Sequence, residues 1–388
     1  MNSVGIYVDG ERLLAARLKR VKGSAEICAL TEGIKPEGEC TLVSGLDGKE
    51  LILRKLSFVL KNRRAILKAL PFQAESHLPY TPEESVLLPL FSKKAGGTYD
   101  VILSATTRTD LRKHLEKWQG HQLDPDQVSS IPNALFRFAR HFHPQESDLL
   151  VLHLGEKESI CGLILEGTLQ HFYCFSWGRS LFEESPLVAE NRLQKEVDRA
   201  ISSLQKKCDL FPQKLLLTGD ASLVASLKPK IETFSKLMVL EAPSQPASTF
   251  AIPLGLALEG LAQDQSKIQF RQGEFLSERA QKKRVKFASL YILSCITLAL
   301  LTWLSTTLLL AREKSVLKES LVRIFPASMD ASSSLEEMLE SGEAALSKDK
   351  APFPLHPTAP KVSDLLAWLS THPKLTQEID LKEVRYEL

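Results

Sequence analysis

Residues 4–8 (VGIYV) form an apolar run that stops at Asp9-Gly10 and resumes over residues 13–18, the pattern of a strand, a polar turn and a second strand. Residues 26–30 and 41–45 read as further strands, the latter followed by a turn from Gly45 to Gly48. Residues 50–56 alternate as another strand, and residues 62–70 predict a helix closed by Pro71. A strand over 99–105 precedes a helix over 108–118 with Leu111, Leu115 and Trp118 on one face, and residues 131–140 open with a proline as a further helix. Residues 149–154 are nearly continuously apolar. They turn at a glycine into a strand over 160–165, echoing the beginning of the chain.

Residues 190–208 carry the stripe Leu193, Val197, Ile201, Leu204 and Cys208 of an amphipathic helix. A strand over 214–218 ends at Gly219-Asp220, where Asp220 suits the N-cap of a helix over 222–233. A short strand over 237–240 follows, then a helix of small residues over 253–260 that predicts close packing on a sheet. Strands alternating with helices, opened twice by a strand–turn–strand unit, predict α/β domains built twice on one plan.

Residues 287–311 contain no Asp, Glu, Lys, Arg or His. About 20 such residues cross the ~30 Å hydrocarbon core as a helix, and Ser and Thr hydroxyls can bond back to carbonyls one turn earlier. The segment therefore predicts one membrane span. Basic residues crowd both flanks: Arg279, Lys282, Lys283, Arg284 and Lys286 before it, Arg312, Lys314 and Lys318 after it. Orientation rests on the beginning of the chain, which carries Asp9 and no long apolar core and so lacks a signal peptide. The expectation is a cytoplasmic N-terminus and a C-terminus on the far side.

Beyond the span, residues 312–324 predict an amphipathic helix with Val316, Leu317, Leu321 and Ile324 on a heptad-like face, and residues 334–346 a second one. A linker over 351–360 holds four prolines and reads as extended. Residues 362–370 read as a helix and 378–388 as a strand, too little to make a stable domain.

Composition adds exclusions. The 388 residues carry a net charge of +2, which argues against a dominant nucleic-acid-binding surface. The six cysteines show no CxxC or Cys/His ligand spacing, so no zinc site or disulfide framework is expected, and no metal is called for. His141 and His143, around Phe142, read as polar residues at a helix end.

Several pieces together resemble a known family: VGIYVDGERLLAARLKR, VSGLDGKELILRKLSF, FQAESHLPYTPEES, SSIPNALFRFAR, LLVLHLGEKES, LLLTGDASLVASL and AIPLGLALEGL. In this order, over residues 1–262, they resemble the PilM/GspL branch of the actin/Hsp70/sugar-kinase class. The resemblance implies an actin/Hsp70-like fold, a duplicated RNase H-like α/β unit, over residues 1–268. It further implies a basic juxtamembrane linker over 269–286, a transmembrane helix over 287–311 and periplasmic coiled-coil-like helices over 312–350. After the linker over 351–360, residues 361–388 would begin a periplasmic ferredoxin-like α+β module that is incomplete at the chain end.

In active members of that class the first turn resembles DxG[ST], where the Asp holds hydrated Mg²⁺ and small residues receive phosphate. Here Asp9 and Gly10 begin the turn, but Glu11 and Arg12 replace the small residues, and a carboxylate there repels phosphate. The second turn places His153 where the class has a metal-positioning Asp, followed by Leu154, Gly155 and Glu156. The third loop is Thr218-Gly219-Asp220-Ala221, and Asp220 departs from the small residues usual there. Asp9, Gly10, Gly155 and Gly219 are thus the candidate cofactor-binding residues of a degenerate nucleotide site, with no catalytic residues. Asp9 reads most simply as a turn residue capping its own backbone, and His153 as a buried, hydrogen-bonded histidine at a strand end.

The expected function is a non-enzymatic inner-membrane platform of a type II secretion system, a pseudo-ATPase that binds ATP weakly or not at all. It would link a GspE-like secretion ATPase to GspM-like and GspF-like membrane subunits and form a homodimer. A type IV pilus protein of the PilM/PilN kind and a membrane-tethered actin-fold ATPase are the alternatives.

Overall fold

The computed structural model describes residues 2–33, 40–93, 99–208, 210–263, 267–324 and 334–348. The chain divides at Phe287 into two units.

In the N-terminal unit, β1 (Asn2–Asp9), β2 (Arg12–Val21) and β3 (Ser24–Glu32) form an antiparallel meander, and β4 (Thr41–Leu46) runs parallel to β1. An insertion follows. β5 (Ile52–Phe58), α1 (Arg63–Glu75), β6 (Ser85–Lys93) and β7 (Tyr99–Thr107) build a separate antiparallel sheet ordered β5-β7-β6. Then α2 (Arg108–Gly120) leads to β8 (Gln127–Ser130), which joins β4 in parallel and completes a sheet ordered β3-β2-β1-β4-β8.

After α3 (Ile131–Phe142), the second half repeats the plan. β9 (Leu149–Leu154), β10 (Ser159–Leu165) and β11 (Thr168–Phe175) form the meander. Next come α4 (Arg179–Glu184) and α5 (Pro186–Gln205), then β12 (Lys214–Gly219), α6 (Ala221–Ser235) and β13 (Met238–Glu241). The sheet order β11-β10-β9-β12-β13 reproduces that of the first, with the last two strands again parallel. The duplication expected from the sequence is therefore present, strand for strand.

α7 (Gln245–Thr249) and α8 (Ala251–Leu261) return the chain to the first half. α3 and α8 lie in the core between the two sheets, where Ala134, Phe138, Leu254 and Ala257 join Val43 of the first sheet and Val151 and Leu216 of the second. Glycines permit the close approach. A Cβ on Gly255 would run into the Ala134 carbonyl of α3, and one on Gly5 into the Pro253 carbonyl of α8. The expected close packing of this small-residue helix is what the structure has.

Local signals placed most elements. Asn62 caps α1 by accepting from the Arg64 N–H at 2.9 Å, Thr107 caps α2, and Ser130 caps α3 ahead of Pro132. Some expectations are corrected. α1 does not close at Pro71 but runs to Glu75, because one missing N–H is outweighed by burial of Leu70 and Ala74 on either side of it. Gly45 belongs to β4, and the turn falls later, at Gly48–Glu50, so β5 starts at Ile52. α5 begins earlier, at Pro186, and ends at Gln205, leaving Cys208 beyond it.

Residues 269–286 are not a free linker at their start. The Phe270 N–H donates to the Val128 carbonyl at 2.8 Å, and the Val128 N–H donates to Gln269 Oε1 at 2.8 Å, so the segment docks on β8. Arg271, buried, donates to the Phe275 carbonyl and to Asp124, both at 2.6 Å. Glu259 of α8, fully buried, binds Arg137 of α3 at 2.5 Å and accepts from the Ile268 N–H.

α9 (Glu278–Ile324) is one continuous 47-residue helix. Within it, Val285–Ser320 is long and apolar enough to cross a membrane, and its most apolar window is exposed throughout. Thr302, Ser305 and Thr307 donate to the carbonyls of Ala299, Thr302 and Leu304 at 2.8–2.9 Å, as expected for hydroxyls in an apolar span. α10 (Leu335–Lys348) opens with a reciprocal cap between Ser334 and Glu337. The proline linker over 351–360 and the ferredoxin-like module expected over 361–388 lie outside the described residues.

Candidate functional site

The twin meanders bring their first turns together. β1 ends at Asp9, and Gly10 turns the chain into β2 with φ +65°, a left-handed conformation that suits glycine. A Cβ on Gly10 would lie 2.6 Å from Glu156 Cγ. On the other side, β9 runs into Gly155, where a Cβ would lie 3.3 Å from Asp9 Oδ1. Gly219, at the end of β12, has φ +132° and sits against the Leu154 carbonyl. The four predicted site residues, Asp9, Gly10, Gly155 and Gly219, therefore meet in one place.

What they meet around is protein. Asp9 does not cap its own turn: Oδ1 accepts a hydrogen bond from the Glu156 backbone N–H at 2.8 Å, across to the opposite half. The reason is topological, since the two turns face each other and the partly buried Glu156 N–H finds its acceptor there. Burial pushes the Asp9 carboxyl up, and the Glu156 hydrogen bond offsets only part of that.

Ion pairs extend the closure. Arg179, at the start of α4, binds Glu156 at 2.7 Å and Asp220 at 3.4 Å. Asp220 also faces Arg12 of the first turn at 3.6 Å, and Arg12 binds Glu32 at 2.5 Å. Asp220 caps α6, accepting from the Ser222 and Leu223 N–H groups at 3.1 and 3.4 Å, as its position after β12 suggested. Burial raises its carboxyl, but the Ser222 hydroxyl, which donates to it at 2.5 Å, those two N–H groups and Arg179 outweigh burial and hold it below the usual range.

Arg179 is the member that reading the sequence missed. The signal lay in Trp177-Gly178-Arg179: a Cβ on Gly178 would strike the Glu156 carbonyl, so glycine is required where α4 approaches the second turn. The Arg179 N–H donates to the Gly155 carbonyl at 2.9 Å and the Ser180 N–H to the Glu156 carbonyl at 3.1 Å, pinning that turn.

His153 lies one strand residue before this turn and is buried, with Nδ1 3.1 Å from Thr218 Oγ1. Burial lowers its pKa to about 4, so at neutral pH it is uncharged. That matches the expected strand-end histidine. No group of three or more metal-ligating side chains occurs among the described residues.

Chemically, parts of the two turns are already engaged with each other. One backbone N–H of the second turn is already used by Asp9, and the Glu156 side chain packs on Gly10. Asp9, Glu156 and Asp220 set three carboxyl groups against two guanidinium groups, those of Arg12 and Arg179.

Duplicated five-stranded sheets with two helices between them, and a candidate site where the twin turns face each other, define an actin-like ATPase fold. No protein-family model and no curated protein matches the chain. Among solved structures, it is similar to a chain of a PilM–PilN type IV pilus biogenesis complex. That match has TM-score 0.54 and 18% identity, over 67% of this chain and 98% of that one. It also matches the cytoplasmic domain of EpsL, an inner membrane component of the type II secretion system of Vibrio cholerae. Here the TM-score is 0.42 and identity 12%, over 71% of this chain and 100% of that one. A Bacteroides thetaiotaomicron protein with an actin-like ATPase fold matches with TM-score 0.37 and 10% identity, over 65% of this chain and 95% of that one.

Proposed function

We propose that this chain is a non-enzymatic platform protein of a type II secretion system. It would be held in the bacterial inner membrane by α9, with its actin-like unit in the cytoplasm and its C-terminal part in the periplasm. The unit would dock the GspE-like secretion ATPase, while the span and the helices after it bind GspM-like and GspF-like subunits or a second copy. The observation that carries the pseudo-ATPase part is the Asp9–Glu156 hydrogen bond, which uses the first turn's carboxylate to hold the second turn rather than a hydrated metal. The family resemblance in the sequence supports the secretion reading. The overlap with the PilM–PilN complex favours the related alternative, a pilus assembly protein.

The test has two arms. Affinity purification of the full chain from native membranes should recover a secretion or pilus ATPase with its membrane subunits. Titration with ATP and Mg²⁺ should show weak binding at most and no phosphate release. Recovery of no such machine would overturn the platform reading, and turnover would restore the ATPase.

A further inference from the structure

The insertion presents a face that the rest of the N-terminal unit leaves unused. Residues 59–74 carry Lys61, Arg63, Arg64 and Lys68 and no Asp or Glu. α1 spends Ile66, Leu70 and Ala74 on its own sheet. Arg64, Lys68 and Phe72 lie on the opposite side by helical spacing, and Leu67, seven residues before Ala74, flanks the buried stripe at its exposed edge. Phe72 is 79% exposed and Leu67 48%, and just before the helix Val59 is 90% and Leu60 41% exposed. Arg63 lies over the rings of Phe91 and Tyr99, at 5.3 and 5.4 Å from their centroids. The side chains of Lys61, Arg64 and Lys68 have no ion pair or hydrogen bond among the described residues.

Single exposed apolar residues need no explanation, but four within residues 59–72, beside three cations with no partner among the described residues, do. We propose that this exposed surface, α1 outside its buried stripe together with Val59 and Leu60, receives a protein partner whose own surface mixes carboxylates with apolar side chains. The presence of a partner rests on the platform reading above, and the face and its chemistry are additional to it.

Three arguments select this occupant. Charge complementarity calls for an acidic surface, because each cation left without a counter-charge here is available to one. A lipid surface fits less well. A helix that lies in a bilayer interface separates its apolar face from its basic face, whereas α1 has given its apolar face to the core and mixes cations with Leu67 and Phe72 outside. A second copy fits badly too, since an isologous pairing would set these cations against themselves. Phe72 and Leu67 would be the apolar anchors, with Lys61, Arg64 and Lys68 steering and fixing register around them.

The experiment places a photo-crosslinking residue at Phe72, and separately at Leu67, in the full chain in its native membranes. A control at Leu210, 84% exposed on the second half, measures background. Positions 72 and 67 should give one protein adduct that 210 does not, and its cross-linked peptide, identified by mass spectrometry, should be acidic. The double charge reversal Arg64→Glu with Lys68→Glu should cut the adduct by about tenfold or more, as loss of about 1.4 kcal/mol or more of charge pairing would do. No adduct, an adduct only with lipid or a second copy, a basic peptide, or an adduct unchanged by the reversal would each overturn the proposal. If the charge-reversed chain still recovers every partner of the wild type in full, this face is wrong while the platform reading stands. If the wild-type chain recovers no machine, the platform reading itself has failed.

Discussion

Asp9 Oδ1 holds the backbone N–H of Glu156 at 2.8 Å, so a carboxylate from the first strand–turn–strand unit satisfies the turn of its duplicate 147 residues away. Asp9→Ala leaves that N–H without its acceptor in a partly buried place. The expected loss is about 1–3 kcal/mol of stability, read by denaturant unfolding of the full chain in detergent. Phosphate release from ATP should be at background before and after the substitution. Turnover in the wild type that vanishes in Asp9→Ala would refute the closed-site interpretation.

The crossing of α3 and α8 predicts a position with no tolerance. Gly255→Ala puts a methyl group into the Ala134 carbonyl, backbone against backbone, and should cost about 1–3 kcal/mol or more. Gly120→Ala, at the end of α2 with nothing within 4 Å, should be neutral or stabilise by up to about 1 kcal/mol. Equal melting temperatures for the two variants would contradict the packing.

Buried histidines set an acid limit. His114 is within hydrogen-bonding distance of Ser44 and accepts from Trp118 Nε1, and burial, aided by Lys117, lowers its pKa to about 3. Its folded value lies below the unfolded one, so between about pH 6.5 and 3 the unfolded chain binds a proton that the folded chain does not. Stability is therefore lost as the pH falls through that window, by about 2 kcal/mol at pH 5 from this residue alone. His114→Gln should be less stable at pH 7 but lose less between pH 7 and pH 5 than the wild type. Parallel pH profiles would count against the assignment.

Topology is testable with reporters fused after residues 275 and 345. With α9 spanning as proposed, the first should be active only inside and the second only outside, and the reverse pattern would invert the orientation. Leu301→Arg, near the middle of the apolar stretch, should impair insertion by about 2.5–3.5 kcal/mol.

Most elements were legible because their signals are local. The apolar runs and turn of β1 and β2, the stripe of α5, the proline that opens α3, the Asp220 cap of α6 and the charge-free run inside α9 are each decided within a few residues. The strands left unread have reasons. β6 contains Pro89, which fits because β6 lies at the edge of its sheet. β8 is only four residues long and two are serine, held by its partners rather than by hydrophobicity. β11 was passed over, although its pairing along β10 is what completes the second meander.

The sequence by itself determined the α/β alternation, the repeated strand–turn–strand openings and the apolar helix, since period and composition are properties of neighbours along the chain. It also put Asp9, Gly10, Gly155 and Gly219 on turns. Only the tertiary structure decided what those turns do to one another. The partner of Asp9, the bridging of Glu156 and Asp220 by Arg179, and the contact of Gly255 with Ala134 join residues far apart in sequence. Hydrogen bonds and packing of that kind depend on where two sheets come to rest, which no local pattern encodes.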